Sequence, residues 1–373
     1  MLLKFSIVVA SINVLDNMET FRPMLTEDEC SIIVVDEGDE ATRRKNDAIL
    51  ADVCHAHYGP REREEWFKRH FGSNFAKYLT VIPERCHAET SFGFLVAYEE
   101  APDLVIELDD DVFPWQKQHI VKRHAENIFG KSGSTVSSEG RFYNTIENLR
   151  LNVDTPLFAR GHPYAEDARR ENYVWKEAGG KCALNMGLWA EVPDYDALTI
   201  LYYGGLNGRC RVEGAGFRRG KVIVSEGTFF PVCSMNTSFV PEAVPAFYQL
   251  YMNCMGIDRF DDIWSGLFFK KVADRLSEKV CLGIPIVRHE KRPRDTFRDL
   301  EKELNGMAMN EKLWRLVADA EIEGETFFDA YDSLIIEMEA KMPKYFEKQD
   351  HIKFLKLQTE KMRLWLKTMD RLR

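Results

Sequence analysis

Residues 105–112 read Val105-Ile-Glu-Leu-Asp109-Asp110-Asp111-Val112, an apolar run that ends in three consecutive carboxylates. A short apolar run before a polar turn is typical of a buried β-strand. Carboxylates this close together repel one another unless a cation binds between them. The stretch therefore predicts a buried strand whose carboxyl end binds a divalent metal ion, with a solvated acidic turn as the alternative.

The acidic run also indicates which metal ion to expect. Hard ions such as Mn²⁺ and Mg²⁺ prefer oxygen ligands and keep open positions for phosphate oxygens. His289 is a candidate ligand beside Asp109 and Asp111, because it follows another apolar run over residues 282–287. A packed or surface histidine is the alternative. We predict a site for Mn²⁺ or Mg²⁺ formed by Asp109, Asp111 and His289.

Zinc is a second metal hypothesis, and it rests on the cluster Cys54-His55-Ala56-His57. This cluster has no second ligand pair, and its surroundings predict a polar helix. Zinc is therefore the less favoured metal.

Two further strands are predicted upstream, at residues 5–10 and 31–35, with polar helical sequence between the strands. This alternation predicts βαβ units and a largely parallel sheet. Ligands of open α/β sheets bind outside the carboxyl ends of the strands, so the polar residues there should meet in one crevice. The residues expected to bind the ligand in that crevice are Ser11, Asp36, Glu37, Asp109 and Asp110.

The middle of the chain gives weaker patterns. Residues 130–140 form a polar, Gly/Ser-rich loop, for which a mobile flap near the crevice is one interpretation. Short apolar runs and glycines over residues 180–290 predict strands and turns, with one helix around residues 243–254. Beyond about residue 295 the sequence is strongly helical.

The last helical segment has one apolar stripe, which must be buried for the helix to be stable. Packing on the same chain is one way to bury it. A homo-oligomer through the C-terminal helices is the alternative, because three of these residues also repeat every seven positions. The residues of the stripe are Ile352, Leu355, Met362, Leu366 and Met369.

Composition excludes several classes of protein. The net charge of −10 argues against a nucleic-acid partner, which needs a surplus of Lys and Arg on one face. Eight cysteines without a C-x-x-C pair indicate reduced thiols and a cytoplasmic protein. No apolar run approaches the roughly 20 residues of a membrane span, and the apolar residues 5–10 fit a buried strand better than a signal peptide.

Two other segments contain candidate catalytic residues. Arg160 lies in the turn Phe158-Ala-Arg160-Gly161-His-Pro163-Tyr164, where a fixed guanidinium would bind a diphosphate bidentately. A surface arginine is the alternative. Asp261 and Asp262 form an acidic pair that would act as a general base or hold substrate hydroxyls. A helix N-terminus capped by Asp261 is an equally good interpretation.

Six segments of the chain resemble, in order, those of the reversibly glycosylated polypeptide family, the UDP-arabinopyranose mutases. They cover most of residues 5–305. The segments are Glu107-Leu-Asp-Asp-Asp-Val, Phe158-Ala-Arg-Gly-His-Pro-Tyr, Gly187-Leu-Trp-Ala-Glu-Val-Pro-Asp-Tyr-Asp-Ala-Leu-Thr, Gly227-Thr-Phe-Phe-Pro-Val-Cys-Ser-Met-Asn, Arg259-Phe-Asp-Asp-Ile-Trp-Ser-Gly and Gly283-Ile-Pro-Ile-Val-Arg-His-Glu-Lys.

The resemblance implies an α/β, GT-A-like fold with a mixed, mostly parallel sheet flanked by helices. A nucleotide-sugar-binding catalytic domain is then expected over residues 1–295, followed by a helical C-terminal extension over residues 296–373. The resemblance also implies dependence on Mn²⁺ or Mg²⁺, a UDP-sugar substrate, and interconversion of pyranose and furanose forms of UDP-arabinose. Self-glycosylation of Arg160 is implied as well.

Two other functions remain open on the sequence. One is a metal-dependent glycosyltransferase that transfers a sugar from a nucleotide-sugar to an external acceptor. The other is a non-catalytic scaffold that only binds a sugar nucleotide. The products formed from UDP-sugars would distinguish all three functions.

Overall fold

The computed structural model describes residues 3–27, 29–53, 55–116 and 118–372. Thirteen strands in these ranges belong to one sheet. The strands are β1 (Lys4–Ser11), β2 (Glu29–Asp36), β3 (His55–Tyr58), β4 (Leu104–Leu108), β5 (Val112–Pro114), β6 (Ser134–Ser138), β7 (Leu149–Leu151), β8 (Tyr173–Lys176), β9 (Leu184–Glu191), β10 (Gly214–Phe217), β11 (Val222–Val224), β12 (Asn236–Phe239) and β13 (Val280–His289).

Eleven α-helices lie in the same described ranges, and none of them is both long and apolar enough to cross a membrane. The helices are α1 (Asp16–Glu27), α2 (Glu40–Leu50), α3 (Pro60–Phe71), α4 (Phe75–Leu79), α5 (Thr90–Glu100), α6 (Ile120–Phe129), α7 (Ala197–Tyr202), α8 (Asp261–Arg275), α9 (Thr296–Ala318), α10 (Phe327–Tyr345) and α11 (Gln349–Leu372).

The sheet combines parallel and antiparallel pairing. Its main strand order is β3-β2-β1-β4-β12-β9-β13-β11-β6-β8. Strands β3, β2, β1 and β4 pair in parallel, as do β9 and β13, whereas β12 is antiparallel to both β4 and β9. Helix α5 packs on β1 and β2, and α6 packs on β13. The predicted mixed, mostly parallel sheet flanked by helices is confirmed, and the order 3-2-1-4 is that of a Rossmann-like half-sheet.

The three strands predicted before Ser11, Asp36 and Asp109 are present as β1, β2 and β4 because their apolar runs are buried. Val8, Ile33 and Ile106 lie in β1, β2 and β4, and their side chains are fully buried. Parallel sheets are covered on both faces, so their strands read as continuous apolar runs. The carboxyl ends of these three strands lie at one edge of the sheet, next to Ser11, Asp36 and Asp109.

Two predictions for the middle of the chain are wrong. The predicted helix at 243–254 is a short 3₁₀ turn at Pro241–Ala246 followed by irregular backbone, because Pro245 has no N–H with which to continue a helix. The predicted loop at 130–140 contains β6, which pairs with β11 on one side and β8 on the other. This Ser/Thr-rich strand therefore lies within the sheet instead of forming a free flap.

The predicted helical C-terminus is confirmed by α9, α10 and α11. Helix α11 packs on its own chain: Trp365 donates to the carbonyl of Pro245 at 3.1 Å, and Gln358 to that of Tyr251 at 2.6 Å. The apolar stripe faces inward, so it is not free to form a subunit interface. Its buried members are Leu355, Met362, Leu366 and Met369, and Ile352 is half-buried.

Candidate functional site

A crevice of about 610 Å³ opens at the carboxyl ends of β1, β2 and β4, where a ligand of an open α/β sheet is expected. This volume suits a nucleotide-sized ligand. Four of the five predicted ligand-binding residues line it, as does the predicted metal ligand Asp111, whereas Asp36 and His289 do not. The lining residues are Ala10, Ser11, Ile12, Asn13, Glu37, Gly38, Asp39, Arg85, Cys86, His87, Glu89, Asp109, Asp110, Asp111, Arg292 and Arg294.

Asp110 joins the end of β4 to the end of β1. Its carboxylate accepts hydrogen bonds from the hydroxyl of Ser11 and from the amide of Asn13, at 2.5 and 2.9 Å. On the other side, Arg292 Nε lies 3.4 Å from Asp110 Oδ1. Burial raises the pKa of Asp110, although Ser11 and Asn13 oppose that change. Asp110 is thus a fixed acceptor in the crevice wall.

Asp111 and His289 are brought together by the pairing of β5 with β13. Asp111 Oδ2 lies 3.6 Å from His289 Nε2, and both side chains are buried. The ring nitrogen Nδ1 of His289 donates to the carbonyl of Val192 at 2.7 Å, which directs Nε2 at the carboxylate. Burial tends to raise the pKa of Asp111, but His289 and then two arginines outweigh it and hold the value at about 2.

These two side chains fit a divalent ion. An ion about 2.1 Å from each of two ligand atoms holds those atoms about 3 to 4 Å apart, as Asp111 Oδ2 and His289 Nε2 are. A ligand histidine whose second ring nitrogen donates to a backbone carbonyl is the usual arrangement at metal sites. Asp109 lies at the same edge, but the described residues do not gather Asp109, Asp111 and His289 within 4.8 Å of one another.

His87 connects Asp109 to the second acidic group. Its Nε2 lies 3.8 Å from Asp109 Oδ1, and its Nδ1 lies 2.9 Å from Asp261 Oδ2 and 2.6 Å from the side-chain oxygen of Gln249. Burial would lower the pKa of His87, but the charges of Asp261 and Asp109 raise it well above its usual value. His87 lines the crevice, and the predicted residue Asp261 does not. Asp261 is therefore connected to the crevice only by its contact with the charged ring of His87.

Arg160 lies behind this layer and does not line the crevice. Its Nε and Nη2 bond the two oxygens of Asp194, at 3.1 and 3.0 Å, and Nη2 lies 3.4 Å from Asp262. Its Nη1 donates to the backbone carbonyl of Arg259. Arg160 is therefore neither the surface arginine nor the open diphosphate clamp that its turn suggests. It is the centre of a buried ion-pair cluster that includes the predicted residue Asp262.

The turn after Arg160 packs tightly on α8. Gly161 has a φ of +86°, and a Cβ at this position would lie 2.4 Å from a side-chain carbon of Ile263. Glycine is required here both for its left-handed backbone and for the close approach. The turn is thereby fixed against the first turn of α8, next to Asp262.

The carboxylates around Arg160 differ in their affinity for a proton. Burial tends to raise the pKa of each, but Arg160 lowers that of Asp194 and His87 lowers that of Asp261. For Asp262 burial dominates, and its pKa rises to about 6. Acid and base roles are commonly assigned where environments separate pKa values in this way. Of these three carboxyl groups, Asp262 is the one whose pKa lies nearest to neutral pH.

Asp194, Cys233 and Asp262 are the one group of three possible metal ligands among the described residues whose ligand atoms lie within 4.8 Å of one another. Arg160 already bonds both carboxylates of this group. A thiolate is also a soft ligand, poorly suited to Mn²⁺ or Mg²⁺. We therefore place the candidate hard-metal site at Asp111 and His289.

Asp36 does not line the crevice and instead connects the end of β2 to neighbouring elements of the fold. Its fully buried carboxylate accepts hydrogen bonds from Gly38 N, Asn46 Nδ2 and His57 Nε2, at 2.6, 2.8 and 2.9 Å. The prediction that residues 54–57 lie in a polar helix is wrong for the described part, because His57 belongs to β3. His57 Nδ1 lies 2.6 Å from Asp47, so both ring nitrogens have carboxylate partners. Cys54 lies outside the described residues.

Glu37 and Glu89 share a buried arginine at the far wall of the crevice. Arg63 donates to Glu37 and lies 3.3 Å from Glu89. Burial and then the charge of Glu37 raise the pKa of Glu89 to about 9. Glu89 is therefore protonated at neutral pH.

Sequence reasoning missed several residues of this region. Asp194 lies within one of the six matching segments, and Arg292 directly follows another, so closer attention to charged residues there would have found both. His87 is an isolated histidine in a polar stretch, and nothing in the pattern around it marks a site. The contact with Asp261 depends on residues 174 positions apart along the chain.

The 3-2-1-4 half-sheet, with an acidic crevice at the carboxyl ends of its strands, defines a Rossmann-like α/β ligand-binding protein. Residues 4–373 match the sequence model of the family described as "Reversibly glycosylated polypeptide". The chain belongs to this family.

Its relatives include two plant proteins, each matched over most of its length. UDP-arabinopyranose mutase 1 of Oryza sativa subsp. japonica is 28% identical over 361 residues, which cover 92% of this chain and 87% of the relative. UDP-arabinopyranose mutase 2 of Arabidopsis thaliana is 26% identical over 361 residues, with 92% and 88% covered.

Among solved structures, mouse xyloside xylosyltransferase 1 in its apo form matches 37% of this chain and 53% of its own. The identity is 9% and the TM-score is 0.21, which is too little similarity to support an argument.

Proposed function

We propose that this chain is a UDP-sugar mutase that interconverts pyranose and furanose forms of a UDP-arabinose-like substrate. The observation that carries the proposal is the Asp111–His289 pair beside Asp109 and Asp110, at the edge of the sheet where nucleotides bind. Membership of the family and relatives named UDP-arabinopyranose mutase over 92% of the chain support the same substrate class.

Asp111 and His289 would hold Mn²⁺ or Mg²⁺, with Asp109 as a further carboxylate at the same edge. When bound, such an ion neutralises charge on a diphosphate. Arg292 and Arg294 line the same crevice, and their guanidinium groups are suited to bond phosphate oxygens directly. The chain thus provides fixed positive charge next to the anion that forms as the anomeric bond breaks.

The change of ring size requires proton transfer, because the ring ether oxygen becomes a hydroxyl and gains a proton, while a hydroxyl oxygen loses its proton and becomes the new ring oxygen. Asp262, with a pKa of about 6, can both accept and donate a proton near neutral pH. His87 lines the crevice and contacts Asp261, the neighbour of Asp262. We assign proton transfer to this acidic pair, with His87 as the group nearest the sugar.

Self-glycosylation of Arg160 is a separate part of the proposal. All three guanidinium nitrogens are engaged, with two carboxylates and one carbonyl. The side chain is also buried away from the crevice. Attachment of a sugar therefore requires Arg160 to leave these partners, and we propose electrostatic stabilisation as its main contribution.

A homo-oligomer through the C-terminal helices and a cytoplasmic location also belong to the proposal. The face of α9 open to a partner carries exposed Phe297 and Leu304. The seven described cysteines form no disulfide bond, as expected in a reducing compartment. Light scattering of the protein and of a Phe297→Ser, Leu304→Ser variant would test the homo-oligomer. Fractionation of cells would test the cytoplasmic location.

The experiment that tests the main function is incubation of the purified protein with several UDP-sugars and Mn²⁺, followed by chromatography. A furanose UDP-sugar formed from the pyranose form supports the mutase. Release of UDP with transfer of the sugar to an added acceptor supports the glycosyltransferase alternative. Binding without any product supports the scaffold.

A further inference from the structure

Helix α9 contacts the groups that hold Arg160. Glu303 lies in α9 and is fully buried. One of its oxygens accepts a hydrogen bond from Arg259 Nε at 2.7 Å, and the other from the backbone N–H of Ala197 at 2.7 Å. Arg259 provides the carbonyl that accepts from Arg160 Nη1. Ala197 lies three residues after Asp194, so Glu303 holds the segments of two of the three partners of Arg160, Asp194 and Arg259.

A second residue of α9 holds the turn itself. Asn310 donates to the carbonyl of Gly161 at 2.9 Å and accepts from the indole N–H of Trp264 at 3.0 Å. Asn310 is buried and lies seven residues after Glu303, two helical turns along the same face of α9. The same helix therefore fixes the Arg160 turn and the first turn of α8.

The backbone of Arg259 shows why the charge of Glu303 matters. Arg259 has a φ of +64°, which is costly for a residue with a side chain. Its side chain is held by Glu303 and, at 3.5 Å, by Asp299, both in α9. Without the negative charge of Glu303, this backbone is free to relax, and the carbonyl that faces Arg160 moves with it.

We infer that Glu303 and Asn310 are positioning residues for the Arg160 cluster, so that α9 is part of the catalytic site. Neither side chain lines the crevice, and each acts through Arg259, Ala197 or Gly161. The inference rests on the proposed function only where turnover is measured. The placement of Arg160 by α9 can be tested without any activity.

The experiment compares Glu303→Gln with Glu301→Gln, an exposed carboxylate of the same helix. Hydrogen exchange by mass spectrometry over residues 158–164, 194–200 and 256–264 reports on the cluster directly. Turnover of the UDP-pyranose and thermal unfolding are measured on the same samples. Arg259→Lys, which keeps a cation opposite Glu303, is the milder variant if Glu303→Gln does not fold.

We expect Glu303→Gln to speed exchange in those three segments alone, because a glutamine has one acceptor oxygen where Glu303 has two. It should also lower kcat about 10- to 100-fold with KM changed less than about twofold, the size of effect seen when catalytic groups are misplaced by about 1 Å. Glu301→Gln should behave as the parent protein. Unchanged exchange and kcat in a folded Glu303→Gln protein overturn the inference, and so does faster exchange throughout the chain with proportional loss of kcat and stability. If the parent protein has no mutase activity, the exchange data alone decide.

Discussion

Asp111 Oδ2 and His289 Nε2 face each other at 3.6 Å, across the paired ends of β5 and β13. The two residues are 178 positions apart in the chain, yet a backbone hydrogen bond from Glu290 to the carbonyl of Asp111, at 2.9 Å, fixes the register beside them. A carboxylate and an imidazole held this way need little reorganisation to bind a common ion.

Asp111→Asn should therefore abolish metal binding and lower mutase turnover by about 100-fold or more, because it replaces a charged ligand with a neutral amide of nearly the same shape. Titration calorimetry with Mn²⁺ and the chromatographic assay measure the two effects. Asp370→Asn, at an exposed position of α11, is the matched control. Parent-like Mn²⁺ affinity in Asp111→Asn would remove Asp111 from the metal site.

Arg160→Ala should lower the free energy of unfolding by about 3 to 5 kcal/mol, since it leaves Asp194 and Asp262 buried without their cation. Arg160→Ala combined with Asp194→Asn should recover part of that loss. Denaturant unfolding measures both. A single variant as stable as the parent would show that the ion pairs contribute little. Mass spectrometry of the Arg160 peptide after incubation with a UDP-sugar tests glycosylation separately.

His57→Gln should destabilise the protein most on the acid side of neutrality. Asp36 and Asp47 raise the pKa of His57 despite its burial, so its stabilising contribution is complete below the usual histidine pKa and is lost as pH rises through the raised value. We expect about 2 kcal/mol at pH 5.5 and less at pH 9. His351→Gln, where burial and nearby lysines lower the pKa, should show no such loss at pH 5.5.

Glu89→Gln should become more stable than the parent protein as pH rises. The folded pKa of Glu89, about 9, lies far above its usual value, so the parent loses stability from pH 4.5 upwards until the carboxyl group ionises. A neutral amide has no such dependence, and the two proteins should agree within about 1 kcal/mol at pH 5. Parallel stability curves from pH 5 to pH 9 would contradict a protonated Glu89.

The parts of the fold that sequence predicts well are those where burial leaves a local pattern. The apolar runs before Ser11, Asp36 and Asp109 identify three strands to within two residues, and their order identifies the crevice. The sequence indicates the start of α8 at Asp261 only as one of two equal interpretations. Twelve of the fifteen residues of α8 are buried, so the helix has no polar face to produce a helical period. Strand β6 was missed because its partners, β8 and β11, are distant in sequence.

The same limit applies to the site. Asp111 with His289, and Asp110 with Ser11, follow from strand ends that share one edge of a sheet. The role of Asp36 could not be predicted, because whether a carboxylate at a strand end points outward depends on a partner such as His57 in the neighbouring strand. The inward placement of Arg160 depends on Asp194 and on α9, which no local pattern connects to it.

The position of β13 has a consequence for synthesis. This strand, residues 280–289, lies between β9 and β11 in the sheet, and the crevice takes residues from Ser11 to Arg294. On the ribosome, β1 to β4 are made long before the strand that completes the metal site, so the crevice can close only after residues 280–294 have been made. Pairings of such large sequence separation form slowly, and until β13 is inserted β9 and β11 each lack a neighbour and are open to pairing with other chains.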